Sequence, residues 1–163
     1  MVLKPVRDQV VVVMGASSGI GRATAARFAA KGAKVVVAAR GGAGLRTLVE
    51  EIRAAGGQAC AEVADVTDAA AMQRVAERAV AEYGGLDTWV HSAAVLLVAP
   101  FGNTTPEEFS RVVDVNLLGQ VHGAMAALPH LQRTGGAFVS ISSMGAKRGV
   151  PLQTAYCAAK HGV

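Results

Sequence analysis

The sequence predicts an α/β fold in which helices cover both faces of a parallel sheet. Short apolar runs alternate along the chain with longer segments rich in Ala and charged residues, and glycines separate most of these segments. Residues 10–14, VVVVM, are apolar at every position, which is typical of a parallel strand buried on both faces. Strands that alternate with helices form right-handed βαβ units, and such sheets bind ligands at the carboxyl ends of their strands.

Five segments have the length and composition of strands, and five have those of helices. The predicted strands cover residues 10–14, 33–39, 58–63, 88–91 and 137–141. The predicted helices cover residues 20–31, 45–55, 68–83 and 105–133, and a last one begins near residue 154. Glycines follow the first three helices, as they commonly do at helix ends. We expect one doubly wound domain of the Rossmann type over residues 1–163, with strand order 3-2-1-4-5.

The helix predicted over residues 105–133 has the clearest start. Thr105 is suited to cap it, Pro106 suits its first position, and Glu108 completes a capping box. Pro129 predicts a disturbance near the end of this helix, because a proline inside a helix removes a backbone hydrogen bond. Apolar residues repeat along it at helical spacing and predict its buried face: Phe109, Val112, Val113, Leu117, Val121 and Ala124.

Length and composition exclude several classes of protein. The chain has 163 residues, enough for one domain, and its 52% hydrophobic and 17% charged residues exclude a disordered chain. No signal peptide is visible, and the apolar run Val10–Val13 is far too short for a bilayer, so no membrane association is expected. Cys60 and Cys157 are too few for a disulfide framework and fit a reducing compartment, which makes the cytoplasm the expected location.

The basic residues outnumber the acidic ones, 16 to 12, for a net charge of +4. A basic protein is sometimes a nucleic-acid binder, but these residues are scattered singly and have no aromatic residues interleaved with them. Most therefore fit solvated helix faces. No nucleic-acid partner is expected, and an anionic small molecule is the more natural one.

The turn after the first strand carries the glycine pattern G-x-x-x-G-x-G, within Met14–Gly21. Gly15 permits a tight turn, and Gly19 and Gly21 let the backbone approach a pyrophosphate. The phosphates would lie at the helix N-terminus, where free N–H groups and the helix dipole favour anions. The alternative is an ordinary glycine-rich turn, which the placement between a buried strand and a helix disfavours.

The end of the second strand indicates the type of dinucleotide. A site selective for NAD places an acidic residue here for the ribose hydroxyls, whereas this chain has Ala39 followed by Arg40. A guanidinium attracts a 2′-phosphate and stacks on adenine, and Ser17 and Ser18 are suited to donate to the same phosphate. NADP is therefore favoured over NAD. A solvated charge at the end of a strand is the alternative interpretation of Arg40.

Tyr156 and Lys160 lie four residues apart at the start of the last helix, so their side chains share one helix face. A Lys ammonium stabilises phenolate over phenol, and bringing a Tyr pKa from about 10 to near 7 takes about 4 kcal/mol. Tyr156 would then act as general acid or base for a carbonyl or alcohol oxygen. The alternative is a surface pair without a function.

Polar residues at three further places have more than one interpretation. A hydroxyl at the carboxyl end of the fifth strand is suited to hold the substrate oxygen, but the residues alone do not separate Ser140, Ser142 and Ser143. Asn116 falls on the apolar stripe, either as a core amide bonded to backbone or as a group that positions water or the Lys160 amine. His91 fits a core histidine at the sheet end better than a catalytic one.

In these motifs the chain resembles the short-chain dehydrogenase/reductase family over essentially all of its length. The family's T-G-x-x-x-G-x-G corresponds to Met14–Gly21 with Met in place of Thr, and its D-V to Asp65-Val66. Its helix Asn corresponds to Asn116, and its Y-x-x-x-K to Tyr156 and Lys160. The family's catalytic Ser lies 13 positions before the Tyr, which selects Ser143.

The resemblance implies a role for each of these residues. Tyr156 transfers the proton, Lys160 lowers its pKa and binds the nicotinamide ribose, Ser143 orients the substrate oxygen, and Asn116 supports a water-mediated proton relay. No metal is expected. Together with the glycine turn and the strand-end Arg, the resemblance assigns these residues to the cofactor: Gly15, Ser17, Ser18, Gly19, Ile20, Gly21, Arg40, Asp65, Val66, Ala93, Tyr156 and Lys160.

The chain departs from the family pattern in two places. The family's N-N-A-G after the fourth strand is replaced by His91-Ser92-Ala93-Ala94, in which only Ala93 matches. The chain also stops three residues after Lys160, before the family's substrate-binding part. We therefore expect an incomplete, N-terminal portion of a longer member, with the fifth strand at an unpaired sheet edge. For the full-length family form, the resemblance implies a homo-oligomer.

The sequence thus predicts an NADP-dependent oxidoreductase that transfers hydride between nicotinamide and a small carbonyl or alcohol substrate, with Tyr156 as general acid or base. The alternative is a truncated nucleotide-binding fragment without catalytic turnover. A nucleic-acid binder is a third hypothesis, which a steep salt dependence of DNA affinity would be needed to support.

Overall fold

The computed structural model describes residues 3–163. Its sheet has five strands in the order β3-β2-β1-β4-β5, and every neighbouring pair is parallel. The strands are β1 (Val10–Met14), β2 (Lys34–Ala39), β3 (Gln58–Val63), β4 (Thr88–His91) and β5 (Ala137–Ser140). The predicted strand order is confirmed, and β1 lies at the centre, where all five of its residues are buried.

Six helices connect the strands and follow the last one. They are α1 (Gly19–Ala30), α2 (Gly42–Ala54), α3 (Ala69–Tyr83), α4 (Pro106–Val113), α5 (Gly119–Thr134) and α6 (Thr154–Gly162). Asp68 caps α3 by accepting from two backbone N–H groups, and Thr105 and Glu108 form the predicted capping box of α4. The loop between β5 and α6 contains a short 3₁₀ turn, Met144–Ala146.

The sheet separates two apolar cores, as an α/β fold with both faces covered requires. Val11 and Val13 of β1 pack on one face, together with residues of α1 and α2. Val12 and Met14 pack on the other face, together with residues of α3 and α5. Because the β1 residues pack alternately into one core and the other, the strand that precedes the glycine turn is fixed from both sides.

The helix predicted over residues 105–133 is interrupted at a different place from the one expected. The segment Asp114–Leu118 is π-helical, and the N–H of Gly119 donates to the carbonyl of Asp114, five residues earlier. Pro129 lies on an exposed face inside α5 and does not break it. The expected disturbance at Pro129 is therefore wrong.

The wider turn of the π segment also moves the apolar stripe. A π turn takes up one extra residue, which shifts the positions that face the sheet. Val121, predicted to be buried, is 43% exposed, whereas Gly119, Gln120 and Gly123 are buried. Before the π segment the stripe is buried as predicted at Val112.

Between residues 3 and 163, no helix has both the length and the apolar composition that crossing a bilayer requires.

Candidate active site

A cavity of about 730 Å³ lies at the carboxyl edge of the sheet, where the ends of strands β1, β2, β3 and β4 meet. This is the edge at which a doubly wound sheet binds ligands. Most of the residues that the sequence assigns to a cofactor line it: Gly15, Ser17, Ser18, Gly19, Ile20, Arg40, Asp65, Val66 and Ala93. Of the remaining assigned residues, Gly21 packs behind the turn, and Tyr156 and Lys160 lie on α6.

The glycine turn is built so that no side chain fits at two of its positions. Gly15 has φ +79°, and an ideal Cβ on it would lie 2.7 Å from the backbone N of Ala93. A Cβ on Gly21 would collide with the carbonyl of Gly15. The N–H of Gly15 also donates to the carbonyl of Ala38 at 2.8 Å, which fixes the turn on β2. Close packing of the turn on its neighbouring backbone therefore requires glycine at both positions.

The N-terminus of α1 lies directly against this cavity. Its N-cap residue, Ser18, has an extended backbone, and its side chain caps none of the first N–H groups. Such groups need a partner, and with the helix dipole they favour an anion. The α1 N-terminus and the Gly15 backbone beside it are therefore suited to an anion such as a pyrophosphate, and the cofactor assignment stays a prediction.

The β2 end of the cavity is basic. Arg40 follows the buried Ala39, is exposed, and lines the cavity. It forms no salt bridge with any residue from 3 to 163. A guanidinium in this place is open to a phosphate.

The β3 end of the cavity carries an ion pair that the sequence did not indicate. Asp65 Oδ1 accepts from the N–H of Thr67 at 3.0 Å and from its hydroxyl at 2.9 Å, and Oδ2 lies 3.5 Å from Arg111 Nη2. Burial opposes ionisation of Asp65, but the Thr67 and Arg111 donors outweigh it and hold the pKa of that carboxyl below its usual value. Arg111 also lines the cavity, and no motif marks it because it comes from α4.

Tyr156 and Lys160 project from the same side of α6. The Lys160 Nζ lies 5.9 Å from the centre of the Tyr156 ring and donates to the Ile141 carbonyl at 2.7 Å. Lys160 is only 3% exposed, and burial lowers the pKa of its amine.

Ser143 is hydrogen-bonded to Gly145, which packs on the Tyr156 ring. The Ser143 Oγ accepts from the Gly145 N–H at 3.1 Å, which leaves the hydroxyl proton free to donate. Gly145 is buried against the tyrosine, since a Cβ on it would lie 3.4 Å from Tyr156 Cδ1 and Cε1. Ser140 and Ser142 are exposed. Among the three serines left open by the residues alone, Ser143 is the one tied to the tyrosine.

Asn116 lies in the π segment and is fully buried. Its Oδ1 accepts from the Val95 N–H at 2.8 Å, and its Nδ2 donates to the Val95 carbonyl at 2.8 Å. The side chain is thus a core amide bonded to backbone, one of its two interpretations, and it holds a wall of the cavity because Val95 lines it. A part in a proton relay stays a prediction for this residue.

His91 lies in the core beneath this site, with no exposed surface. Burial is the main reason that the pKa of His91 is lowered to about 4, and the charge of Lys160 lowers it further. The ring is therefore neutral near pH 7. Within residues 3–163, no group of three His, Cys, Asp or Glu side chains is placed to hold a metal ion.

Comparison with known proteins gives a consistent result. Residues 9–163 match the short chain dehydrogenase family. The uncharacterized oxidoreductase YxnA of Bacillus subtilis (strain 168) is 41% identical over 160 residues, which is 97% of this chain and 45% of YxnA. The chain therefore spans less than half the length of this relative.

Two solved structures share the fold. An alcohol dehydrogenase from the archaeon Thermococcus sibiricus, complexed with 5-hydroxy-NADP, superposes with a TM-score of 0.91 at 28% identity, over 94% of this chain and 66% of its own. An actinorhodin polyketide ketoreductase variant with NADPH superposes with a TM-score of 0.90 at 34% identity, over 99% of this chain and 62% of its own.

Proposed function

Because this chain belongs to the short chain dehydrogenase family, we propose that the protein is an NADP-dependent oxidoreductase acting on a small carbonyl or alcohol substrate. Its main support is the placement of Tyr156 and Lys160 on one side of α6, with Ser143 hydrogen-bonded to Gly145, which packs on the Tyr156 ring. A second support is the cavity at the carboxyl edge of the sheet, which is lined by nine of the residues assigned to the cofactor. The NADP-type ligands of the two similar structures support the choice of cofactor.

The cofactor would be held by residues from each strand end. The α1 N-terminus would bind the pyrophosphate, and Arg40, with Ser17 and Ser18, the 2′-phosphate. Asp65 and Val66 would contact the adenine, Ala93 the adenosine ribose, and Tyr156 and Lys160 the nicotinamide ribose. When bound, the nicotinamide supplies or accepts the hydride.

The chain's own residues supply the proton chemistry. In the direction of reduction, the Tyr156 hydroxyl gives its proton to the substrate oxygen, and the phenolate left behind is stabilised by the ammonium of Lys160. The Ile141 carbonyl fixes that ammonium in place, at 2.7 Å. The Ser143 hydroxyl donates a hydrogen bond to the substrate oxygen, so the oxygen meets two donors as its negative charge develops.

One second candidate has a specific observation behind it. The chain spans 45% of YxnA, and β5 is an edge strand on which Val139 is 42% exposed. A chain of this extent would bind the nucleotide without turning over substrate if its substrate wall comes from elsewhere.

A titration followed by a turnover assay separates the two. We expect micromolar NADPH binding by fluorescence, clearly weaker NADH binding, and NADPH consumption with members of a panel of aldehydes and ketones. NADPH binding without turnover across the panel supports the nucleotide-binding alternative. Absence of binding to either nucleotide refutes both.

We also propose that the protein works in a reducing compartment, the cytoplasm, as a homo-oligomer. Both cysteines, Cys60 and Cys157, are free and buried, which fits a reducing environment. The end of the π segment and the outer face of α5 expose apolar side chains, as an interface between copies of the chain would require: Leu118, Val121, Met125 and Leu128.

A further inference from the structure

Three polar side-chain atoms of His91 and Gln120 are buried and have no hydrogen-bond partner within residues 3–163. They are Nε2 of His91 and both Oε1 and Nε2 of Gln120. Gln120 is 7% exposed and His91 has no exposed surface. Buried polar groups in proteins are nearly always hydrogen-bonded, to protein or to an ordered water. The proposed proton chemistry uses neither residue, so their pairing needs a separate explanation.

The hydrogen on the His91 ring is assigned by its neighbour. The indole Nε1–H of Trp89 points to His91 Nδ1 at 3.4 Å, and an indole N–H is a donor only. Nδ1 is therefore the acceptor, and a neutral ring carries its hydrogen on Nε2. The unpartnered atom of His91 is thus an N–H donor in search of an acceptor.

Gln120 lies on the helix face that covers His91. Gly123, one turn later on α5, packs so closely on the ring that a Cβ there would lie 2.7 Å from His91 Nδ1. Because α5 runs back along the parallel strands, Gln120 lies nearer the carboxyl edge than Gly123. The neighbouring Gly119 packs against Val66, which follows β3, and Gln120 lies about 100° further round the helix, so it faces away from Val66.

Ile141 joins His91 to Lys160. Its N–H donates to the His91 carbonyl at 3.1 Å, and its carbonyl accepts from Lys160 Nζ at 2.7 Å. An ammonium has three donors, and this bond uses one of them. Lys160 therefore has donors left for partners beneath it as well as for the site above it.

We propose that His91 and Gln120 hold one ordered water beneath the Lys160 ammonium. The water accepts from the His91 Nε2–H and from a Lys160 N–H and donates to Gln120 Oε1, which gives a partner to two of the three buried atoms. His91 and Gln120 are then positioning residues, which fix the ammonium under the Tyr156 ring. The catalytic consequence rests on the proposed function, whereas the water site does not.

Two structural measurements test the water site without turnover. Long-range ¹H–¹⁵N spectra of the protein should show His91 as the Nε2–H tautomer, with a cross-peak from that proton to water. A high-resolution crystal structure should show a water within hydrogen-bond distance of both His91 Nε2 and Gln120 Oε1. A ring protonated at Nδ1, or no water between these atoms, overturns the proposal.

Kinetics test the positioning role. Gln120→Leu, which keeps the size but not the polar atoms, should lower kcat for carbonyl reduction at least 10-fold and change KM for NADPH less than twofold. His91→Asn keeps an N–H donor, so its kcat should stay within threefold of the wild-type value. His91→Phe has no such donor, and its kcat should fall at least 10-fold, as in Gln120→Leu. Gln132→Leu, an exposed site on the same helix, is the matched control.

The outcomes are distinguishable from failure of the proposed function. If the wild-type protein turns over no carbonyl, the proposed function fails while the spectra and the crystal structure still decide the water site. If His91→Phe does not fold, Gln120→Leu carries the kinetic test. Wild-type kcat in Gln120→Leu overturns the positioning role even where the water is present.

Discussion

The side-chain amide of Asn116 binds both backbone groups of Val95, and both N···O distances are 2.8 Å. The pair joins the π segment to the loop after β4, which lines the cavity at the carboxyl edge of the sheet. Replacing Asn116 by Leu would leave the N–H and carbonyl of Val95 unpaired. A buried group without its partner costs about 1–3 kcal/mol.

We expect Asn116→Leu to lower the free energy of unfolding by about 2–4 kcal/mol, since two buried bonds are lost. Affinity for NADPH should fall with it, because the Val95 wall is no longer fixed. Urea unfolding and a fluorescence titration measure the two effects. Asn103→Leu, at an exposed site, is the control and should change neither. Equal stability of the two variants would contradict the role given to this amide.

Sequence patterns predict the parts of this fold that depend on neighbours in the chain. The buried strand β1, the Gly15–Gly21 turn and the Tyr156–Lys160 spacing are all local, so strand order and the placement of the pair follow from them. The π segment could not be predicted in this way. Its composition suits an α-helix equally well, and the Asn116 bond that accompanies it reaches 21 residues away in the chain.

Arg111 could not be predicted for a similar reason. Its partner Asp65 lies 46 residues away, and one Arg among 16 basic residues carries no motif. The pairing of His91 was equally hidden, because only the packed structure places Trp89 and Gly123 against its ring. The partners of these residues are set by contacts between segments far apart in the chain, and no spacing in the sequence indicates them.

Tyr156→Phe tests the proton donor. The ring and its packing on Gly145 are kept and only the hydroxyl is lost, so we expect kcat to fall about 10³-fold, within the range of general acid–base catalysis. Affinity for NADPH should change little. Tyr83→Phe, on α3, removes the chain's other phenol and should leave kcat unchanged. Retained turnover in Tyr156→Phe would refute its assignment as the acid or base.

Arg40→Asp tests cofactor choice. It replaces the cation at the β2 end of the cavity with a carboxylate, which repels a 2′-phosphate and accepts from a ribose hydroxyl. NADPH affinity should fall about 100-fold, or about 2.7 kcal/mol, while NADH affinity stays equal or rises. Calorimetric titration with both nucleotides measures the difference. Arg74→Asp, on α3, controls for net charge, and equal losses for both nucleotides in Arg40→Asp would refute the 2′-phosphate role.

Gly21→Ala tests the packing of the turn. The new Cβ meets the Gly15 carbonyl, and that backbone cannot easily move because the Gly15 N–H is bonded to the Ala38 carbonyl at 2.8 Å. Such overpacking should lower the unfolding free energy by about 1–3 kcal/mol and weaken NADPH binding. Gly85→Ala is the matched control, since a Cβ there meets nothing within 4 Å. The prediction fails if the two variants unfold at the same urea concentration.

Acid should destabilise the protein through His91. Its pKa is about 4 in the folded state against 6.5 ordinarily, so the unfolded chain takes up a proton that the folded one refuses. The stabilisation is complete above pH 6.5 and is lost as the pH falls toward 4, where the loss reaches about 3 kcal/mol.

His91→Asn removes this contribution and keeps every carboxylate of the protein. The difference between the unfolding free energies of wild type and variant should therefore be constant from pH 8 to 7 and shrink or reverse by about 3 kcal/mol between pH 7 and 4. Urea unfolding at half-unit pH steps measures it. Asp65, whose lowered pKa also makes stability fall with acid, is common to both proteins and cancels in the difference. Parallel curves down to pH 4 would mean that the folded protein accepts a proton on His91, and the neutral, buried donor would have to be abandoned.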